Sequence, residues 1–182
     1  MSTLPCVPET EETSISDAAE KAAPTPLSHW LCYILESTDG TRTYVGATDN
    51  LMRRLDDHNG LHGASRGAKA TRGRQWFPLL YVDGFPSKVA CLSFETGVRR
   101  IARTRKGLRY TFAQSGLGVR SPRHRRILCV FNLLYRGAPN GKWQREGLCV
   151  NWLEADARPT QLTLPTGVAE CLNLCDMEAA QR

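Results

Sequence analysis

The sequence predicts an α+β domain, and three observations predict it. An aromatic and β-branched run, His29-Trp30-Leu31-Cys32-Tyr33-Ile34-Leu35, leads into an Asp39-Gly40 turn signal and so marks a hairpin. Leu51 and Leu55, four residues apart, open a helical stripe directly after it. A further strand-like run, WFPLLYV (76–82), is followed by a second helical stripe made of Ala90, Phe94, Val98 and Ile101.

Taken in order, the first strand runs from Trp30 to Glu36, the turn from Ser37 to Thr41 and the second strand from Arg42 to Gly46. A helix over 49–58 follows, with Asp49 or Thr48 as its N-cap and Asn59-Gly60 as its end. The Gly- and Ser-rich stretch Leu61 to Gln75 reads as a basic loop, with room for a short helix from Ala64 to Thr71. After the third strand, Ser87 is placed to cap the long second helix, whose far end carries Arg99, Arg100, Arg103, Arg105 and Lys106. Residues 107–126 are a Gly- and Arg-rich connection. Arg126 to Arg136 reads as a buried helix and Leu148 to Leu153 as another apolar element, together a small helical extension. Pattern weakens from Glu154 onward, which predicts little order there.

Composition narrows the function classes. A chain of 182 residues with 41% hydrophobic residues suits one domain with tails. No apolar run approaches the roughly 18 residues that a membrane span needs, so no membrane partner is expected. The seven cysteines are odd in number and contain no CxxC, and several sit in apolar runs, which predicts free thiols in a reducing compartment. Charge is strongly segregated. Residues 1–28 carry one Lys against five acidic residues, whereas residues 53–126 carry 17 Lys and Arg against four acidic residues. The first segment also lacks large apolar residues and is expected to be disordered. The second predicts a polyanion partner, nucleic acid ahead of anionic lipid.

One constellation fits phosphate chemistry. Tyr33 and Tyr44 lie on the two hairpin strands, and Arg54 and His58 share one face of the first helix. Glu95 sits at the margin of the second helix's apolar face, between Phe94 and Val98. A carboxylate there is costly unless it is paired with a neighbouring Arg or binds a metal. Hydrolysis of a phosphodiester needs a deprotonated water, a cation on the non-bridging oxygens and help for the leaving oxygen. Glu95 can hold one divalent ion, Arg54 can stabilise charge on the phosphoryl group, and Tyr44 can take a proton from water. Tyr33 can orient that water, and His58 can serve the leaving group or a phosphate. Each residue alone also has an ordinary role, as a half-buried strand aromatic or a helix-end cation.

The joint spacing resembles the GIY-YIG nuclease superfamily. Its two tyrosines correspond to Tyr33 and Tyr44, with Arg54 ten residues and His58 fourteen residues after the second. The first motif stands as Leu31-Cys32-Tyr33, its Gly replaced, and the second as Tyr44-Val45-Gly46. TYVGATDNLMRRLDDHNG (43–60), GAKATRGRQW (67–76) and GFPSKVACLSFE (84–95) are similar to the Slx-type structure-specific endonuclease catalytic subunit. The resemblance implies a small central antiparallel sheet flanked by helices over residues 29–106. A linker and helical extension follow over 107–154, with an acidic leader at 1–28 and a poorly ordered tail at 155–182. It implies one Mg²⁺ or Mn²⁺ on Glu95 and branched DNA as substrate: flaps, forks and Holliday junctions. Arg53, Lys69, Arg72, Arg74 and Lys88 become candidates for DNA contact. The implied setting is DNA repair and recombination, in the nucleus if the source is eukaryotic. Members of this family usually continue into a zinc-binding RING that meets a scaffold protein. Here only Cys171 and Cys175 remain, and two ligands cannot close a tetrahedral zinc site. That weakens the expectation of a scaffold and would leave a groove free for a homodimer. The alternative to an enzyme is a non-catalytic module of the same fold that binds branched DNA.

Overall fold

The structure is a computed structural model that describes residues 29–63, 66–104, 121–138, 141–160 and 162–172. The expectations for 1–28, 107–120 and 173–182 lie outside the described residues. The elements run β1 (Leu31–Ser37), β2 (Thr43–Thr48), α1 (Leu51–Asn59), β3 (Trp76–Asp83), α2 (Lys88–Arg103), α3 (Pro122–Arg136), β4 (Cys149–Trp152) and β5 (Ala169–Leu172). Two 3₁₀ turns, Lys69–Thr71 and Ala155–Ala157, punctuate them. The five strands form one sheet in the order β2-β1-β3-β4-β5. The α+β class is as the sequence predicts. The sheet is mixed rather than wholly antiparallel, because β5 joins β4 in parallel.

β1 shows how the layers form. All seven of its residues are buried, since it is an inner strand covered on both faces. Side chains alternate across a strand, so Leu31, Tyr33 and Leu35 face one way and Cys32 and Ile34 the other. The first set packs with Leu51, Leu55 and Trp76 in the layer of α1. The second joins Phe94 and Val98 of α2 with Ile127 and Val130 of α3 in the larger core. Burying each such large apolar side chain contributes about 1.5–3 kcal/mol. β1 and β3 slip register between Ile34 and Leu35, next to Pro78. Proline cannot donate to the ladder and is tolerated at such a bulge. The carbonyl of the extra residue, Leu79, is taken up by the amides of Leu153 (3.0 Å) and Glu154 (3.3 Å).

Several local expectations change. The N-cap of α1 is Asn50, not Asp49 or Thr48; its side chain accepts from the Arg53 amide at 2.9 Å. Thr48 instead accepts the Asn50 amide at 3.1 Å, which fixes the cap itself. Ser87 caps α2 as expected, and Gly60 ends α1 in the left-handed region at φ 82. α3 begins at Pro122, capped by Ser121, four residues before the expected start. Of the short helix expected from Ala64 to Thr71, the described part is only the 3₁₀ turn. The apolar element near 148–153 is strand β4, paired antiparallel with β3, so the segment after α3 extends the sheet and is not purely helical. Beyond Glu154, where pattern weakens, the chain still forms the second 3₁₀ turn and β5. The described cysteines are free thiols, and Cys32, Cys91 and Cys129 are buried. Among the described residues no helix is long and apolar enough to cross a membrane.

Candidate active site

Tyr33, Tyr44, Arg54 and His58 converge where β1, β2 and α1 meet. The Tyr33 ring lies 6.3 Å from that of Tyr44 and 5.9 Å from His58, and Tyr44 lies 4.8 Å from His58. Gly46 makes this possible. It pairs with Tyr33 across the hairpin, and a Cβ on it would stand 2.3 Å from the Tyr33 hydroxyl. The glycine that ends Tyr44-Val45-Gly46 is thus the floor on which the first phenol rests.

The hydrogen bonds fix where the protons are. Thr71 Oγ1 donates to the Ala68 carbonyl at 2.8 Å, so what it offers His58 Nδ1, also at 2.8 Å, is a lone pair. Nδ1 therefore carries the imidazole proton, and Nε2 accepts from the Tyr33 hydroxyl at 2.8 Å. The Tyr33 oxygen in turn accepts from Arg54 Nε at 3.4 Å. Burial lowers the His58 pKa to about 4, and the charge of Arg54 pushes the same way. Burial raises the Tyr33 phenol well above its usual range, and the bond from Arg54 offsets only part of this. At neutral pH the pair is a phenol and a neutral imidazole, with both ring nitrogens engaged. Thr71 is fully buried and is itself held, its carbonyl accepting the Trp76 indole at 2.8 Å. No signal in the sequence singles it out. Arg54 is anchored by the Arg66 carbonyl (3.2 Å) and Asp57 (3.5 Å). Among the described residues no protein group holds the Tyr44 hydroxyl by a hydrogen bond.

Glu95 is buried at 7% exposure on the inner face of α2 and pairs with Arg99, one turn on, at 2.6 Å. Burial raises its pKa, while Arg99 and then Arg54 pull it back. Arg99 also donates to the Val45 carbonyl at 3.2 Å, tying α2 to the second tyrosine's strand. The ion-pair alternative is therefore present. The carboxylate still lies within electrostatic reach of Arg54 and Tyr33. Among the described residues no three His, Cys, Asp or Glu side chains cluster as a metal cage.

The five expected DNA contacts are spread over the surface. Arg53 pairs with Asp49 at 3.0 Å, and Arg74 pairs with Asp39. Arg72 and Arg74 line a cavity of about 200 Å³ beside the end of α1. Lys88 lies over the Trp30 ring, 4.3 Å from its centroid. Of these five only Lys69 lines a groove of about 1000 Å³, which Tyr44 also borders. Five further cations line it: Arg42, Arg99, Arg103, Arg125 and Arg126. Sequence reasoning assigns no contact to any of them. The excess charge of 53–126 announces such a surface, but only folding joins the ends of α2 and α3 to the edge strand β2.

Residues 29–107 match the GIY-YIG catalytic domain. The match falls on the part of the chain that gathers Tyr33, Tyr44, Arg54 and His58. An uncharacterized protein of Acanthamoeba polyphaga mimivirus is 51% identical over 79 residues, 43% of this chain and 48% of its own length. A protein of Aspergillus terreus named structure-specific endonuclease subunit slx1 is 42% identical over 79 residues, 42% of this chain and 20% of its own. One of Drosophila sechellia, named structure-specific endonuclease subunit SLX1 homolog, is 30% identical over 142 residues, 78% of this chain and 46% of its own. The chain thus spans less than half the length of these relatives.

Proposed function

We propose that this chain is a metal-dependent endonuclease that hydrolyses phosphodiesters in branched DNA. The observation that carries the reading is the division of labour between the two phenols. Tyr33 is committed: it donates to His58 and accepts from Arg54. Tyr44 borders the same cluster and the cationic groove, and among the described residues no hydrogen bond commits its hydroxyl. In this reading Tyr44, its own hydroxyl proton having passed to solvent, takes the proton from the attacking water as the new P–O bond forms, and the bond to the leaving oxygen breaks with that oxygen taking a proton from solvent. Arg54, held by Tyr33, Asp57 and the Arg66 carbonyl, presents fixed positive charge to the phosphoryl oxygens. His58, neutral and bonded on both nitrogens, positions Tyr33 and is not the acid.

Glu95 fits a single divalent ion. A lone hard-oxygen donor suits Mg²⁺ or Mn²⁺ keeping most of its waters, and Arg99, now paired with Glu95, would give up the carboxylate to the ion. When bound, the ion supplies Lewis-acid polarisation and acidifies water. The names of the slx1 relatives supply structure specificity and the word subunit. We take branched DNA as the substrate, a further protein subunit or a second copy of this chain as the partner, and the nucleus as the site of action in a eukaryotic source.

The test is cleavage of labelled flap, fork, Holliday-junction and plain duplex DNA with Mg²⁺ or EDTA. Metal-dependent cutting of branched forms is expected, lost in Arg54→Ala and Glu95→Ala. Affinity of Glu95→Ala for DNA should hold or improve, because Arg99 is released toward the groove. Cutting by Glu95→Ala at the wild-type rate would remove the metal site from the reading. Tight binding with no cut by the wild type would favour a binding module.

A further inference from the structure

We infer that the groove bordered by Tyr44 holds the backbone of one unpaired DNA strand, the branch arm that leaves the scissile phosphate. The inference rests on the nuclease reading above and says where on the chain the branch is recognised. Its walls come from three places: β2, the free edge strand of the sheet; the last turn of α2; and the first turns of α3. Among the described residues six cations line it, Arg42, Lys69, Arg99, Arg103, Arg125 and Arg126, and no carboxylate does. Such a concentration repels itself and is satisfied by an anion running along it. Arg42, Lys69 and Arg103 make no ion pair among the described residues, and Arg42 and Arg103 are exposed. Of the other cations, Arg125 and Arg126 are aimed by backbone and hydroxyl contacts. Arg125 donates to the Ala102 carbonyl at 2.9 Å, Arg126 to Thr43 Oγ1 at 3.3 Å, and only Arg99 is shared with Glu95.

Size and lining specify one strand. A volume of about 1000 Å³ admits a short run of single-strand backbone, while a duplex would rest on the rim. Besides the six cations, the half-buried Tyr44 and the short hydroxyl side chains of Thr41, Thr43 and Ser121, the rest of the described lining is small or aliphatic, and Trp76 is buried. Apart from that buried indole, only the half-buried Tyr44 among the described residues brings an aromatic ring to this lining, and no Asn, Gln, Asp or Glu stands there to read base edges. The site reads phosphates, so it selects an arm by strandedness and not by sequence.

The experiment measures anisotropy of the full chain in EDTA on three labelled DNAs: a plain duplex, and the same duplex with a 5′ or a 3′ single-stranded arm. Arg103→Ala/Arg125→Ala is compared with wild type, and Arg42→Ala, from the opposite wall, serves as a second variant. The expected result is that an arm of at least one polarity tightens wild-type binding about tenfold. Both variants should lose most of that gain while keeping duplex affinity. The salt slope on the armed DNA should fall by about 1.4 for the double variant, the single-strand value for two lost phosphate contacts. Equal losses on armed and plain DNA, or variants that keep the arm preference, would overturn the groove assignment and leave the nuclease intact. A wild type that binds no DNA would overturn both, and is told apart by its failure on every substrate.

Discussion

Tyr44 borders two polar regions that are built on opposite principles. Toward β1 and α1 lies a closed chain, Arg54 to Tyr33 to His58 to Thr71 to the Ala68 carbonyl, in which each donor has its acceptor. Toward α2 and α3 lies a cationic groove whose charges, among the described residues, have almost no acidic counterpart. A satisfied buried network rigidifies, because breaking any link leaves a desolvated group. An unsatisfied exposed cluster costs the free protein a little and gains from a ligand. The first region holds geometry; the second waits for charge. Substitutions should therefore split cleanly, the first region losing stability and the second losing affinity.

The sharpest way to break the closed side is Gly46→Ala. The added methyl would have to occupy the place of the Tyr33 hydroxyl, against a strand pair and a buried ring. Overpacking and loss of the Tyr33–His58 bond together should cost about 3 kcal/mol or more, read as a urea midpoint, with cleavage abolished. Wild-type stability in this variant would show that the hydroxyl has room to move. Next in size is pH. His58 sits near 4 in the fold against 6.5 free, so between those values the unfolded chain binds the extra proton. Stability is fully present above about 6.5 and drains away as pH falls toward 4, by up to about 3 kcal/mol. Glu95, raised by burial, acts with the opposite sign at the acid end. His58→Asn should flatten the slope between pH 6.5 and 4 relative to wild type.

Thr71→Val is the finer probe of the same chain. It keeps the shape but leaves the His58 Nδ1 proton without an acceptor, a loss of about 1–3 kcal/mol. Thr71→Ser should restore it. Nitrogen NMR of the imidazole separates a positioning role from simple packing: the wild type and Ser variant should show the proton fixed on Nδ1, the Val variant a mixture. A single tautomer in all three would mean that Thr71 does not set it.

The same contrast explains what is legible in the sequence. The hairpin, α1, β3 and α2 rest on local patterns and turn signals, and the spacing of Tyr44, Arg54 and His58 is fixed by one strand and one helix. Those can be read directly. Thr71 cannot, since a Thr in a Gly-rich loop means nothing until the loop folds back on α1. LCVNWL is too short for its period to separate strand from helix, and only the free edge of β3 decides. Arg53 and Arg74 look like phosphate ligands by composition, yet Asp49 and Asp39 already occupy them. Arg42 and Arg125 look unremarkable because the residues that make them neighbours are far apart in the chain.

The smallest effect belongs to the groove. Arg103→Ala/Arg125→Ala should change folding stability by no more than about 0.5 kcal/mol, and the sign should favour the variant at low salt. Like charges are being removed: burial, with the charges of Arg125 and Arg99, already holds Arg126 below its ordinary pKa. Losing the Arg125–Ala102 bond works the other way, but that bond is exposed and its carbonyl can turn to water. The difference between variant and wild type should shrink as salt rises through the range where the Debye length falls from about 30 to 10 Å. A destabilisation as large as that of Thr71→Val, insensitive to salt, would mean that these arginines hold α2 to α3. The groove would then belong with the closed region, as structure rather than as a place for a ligand.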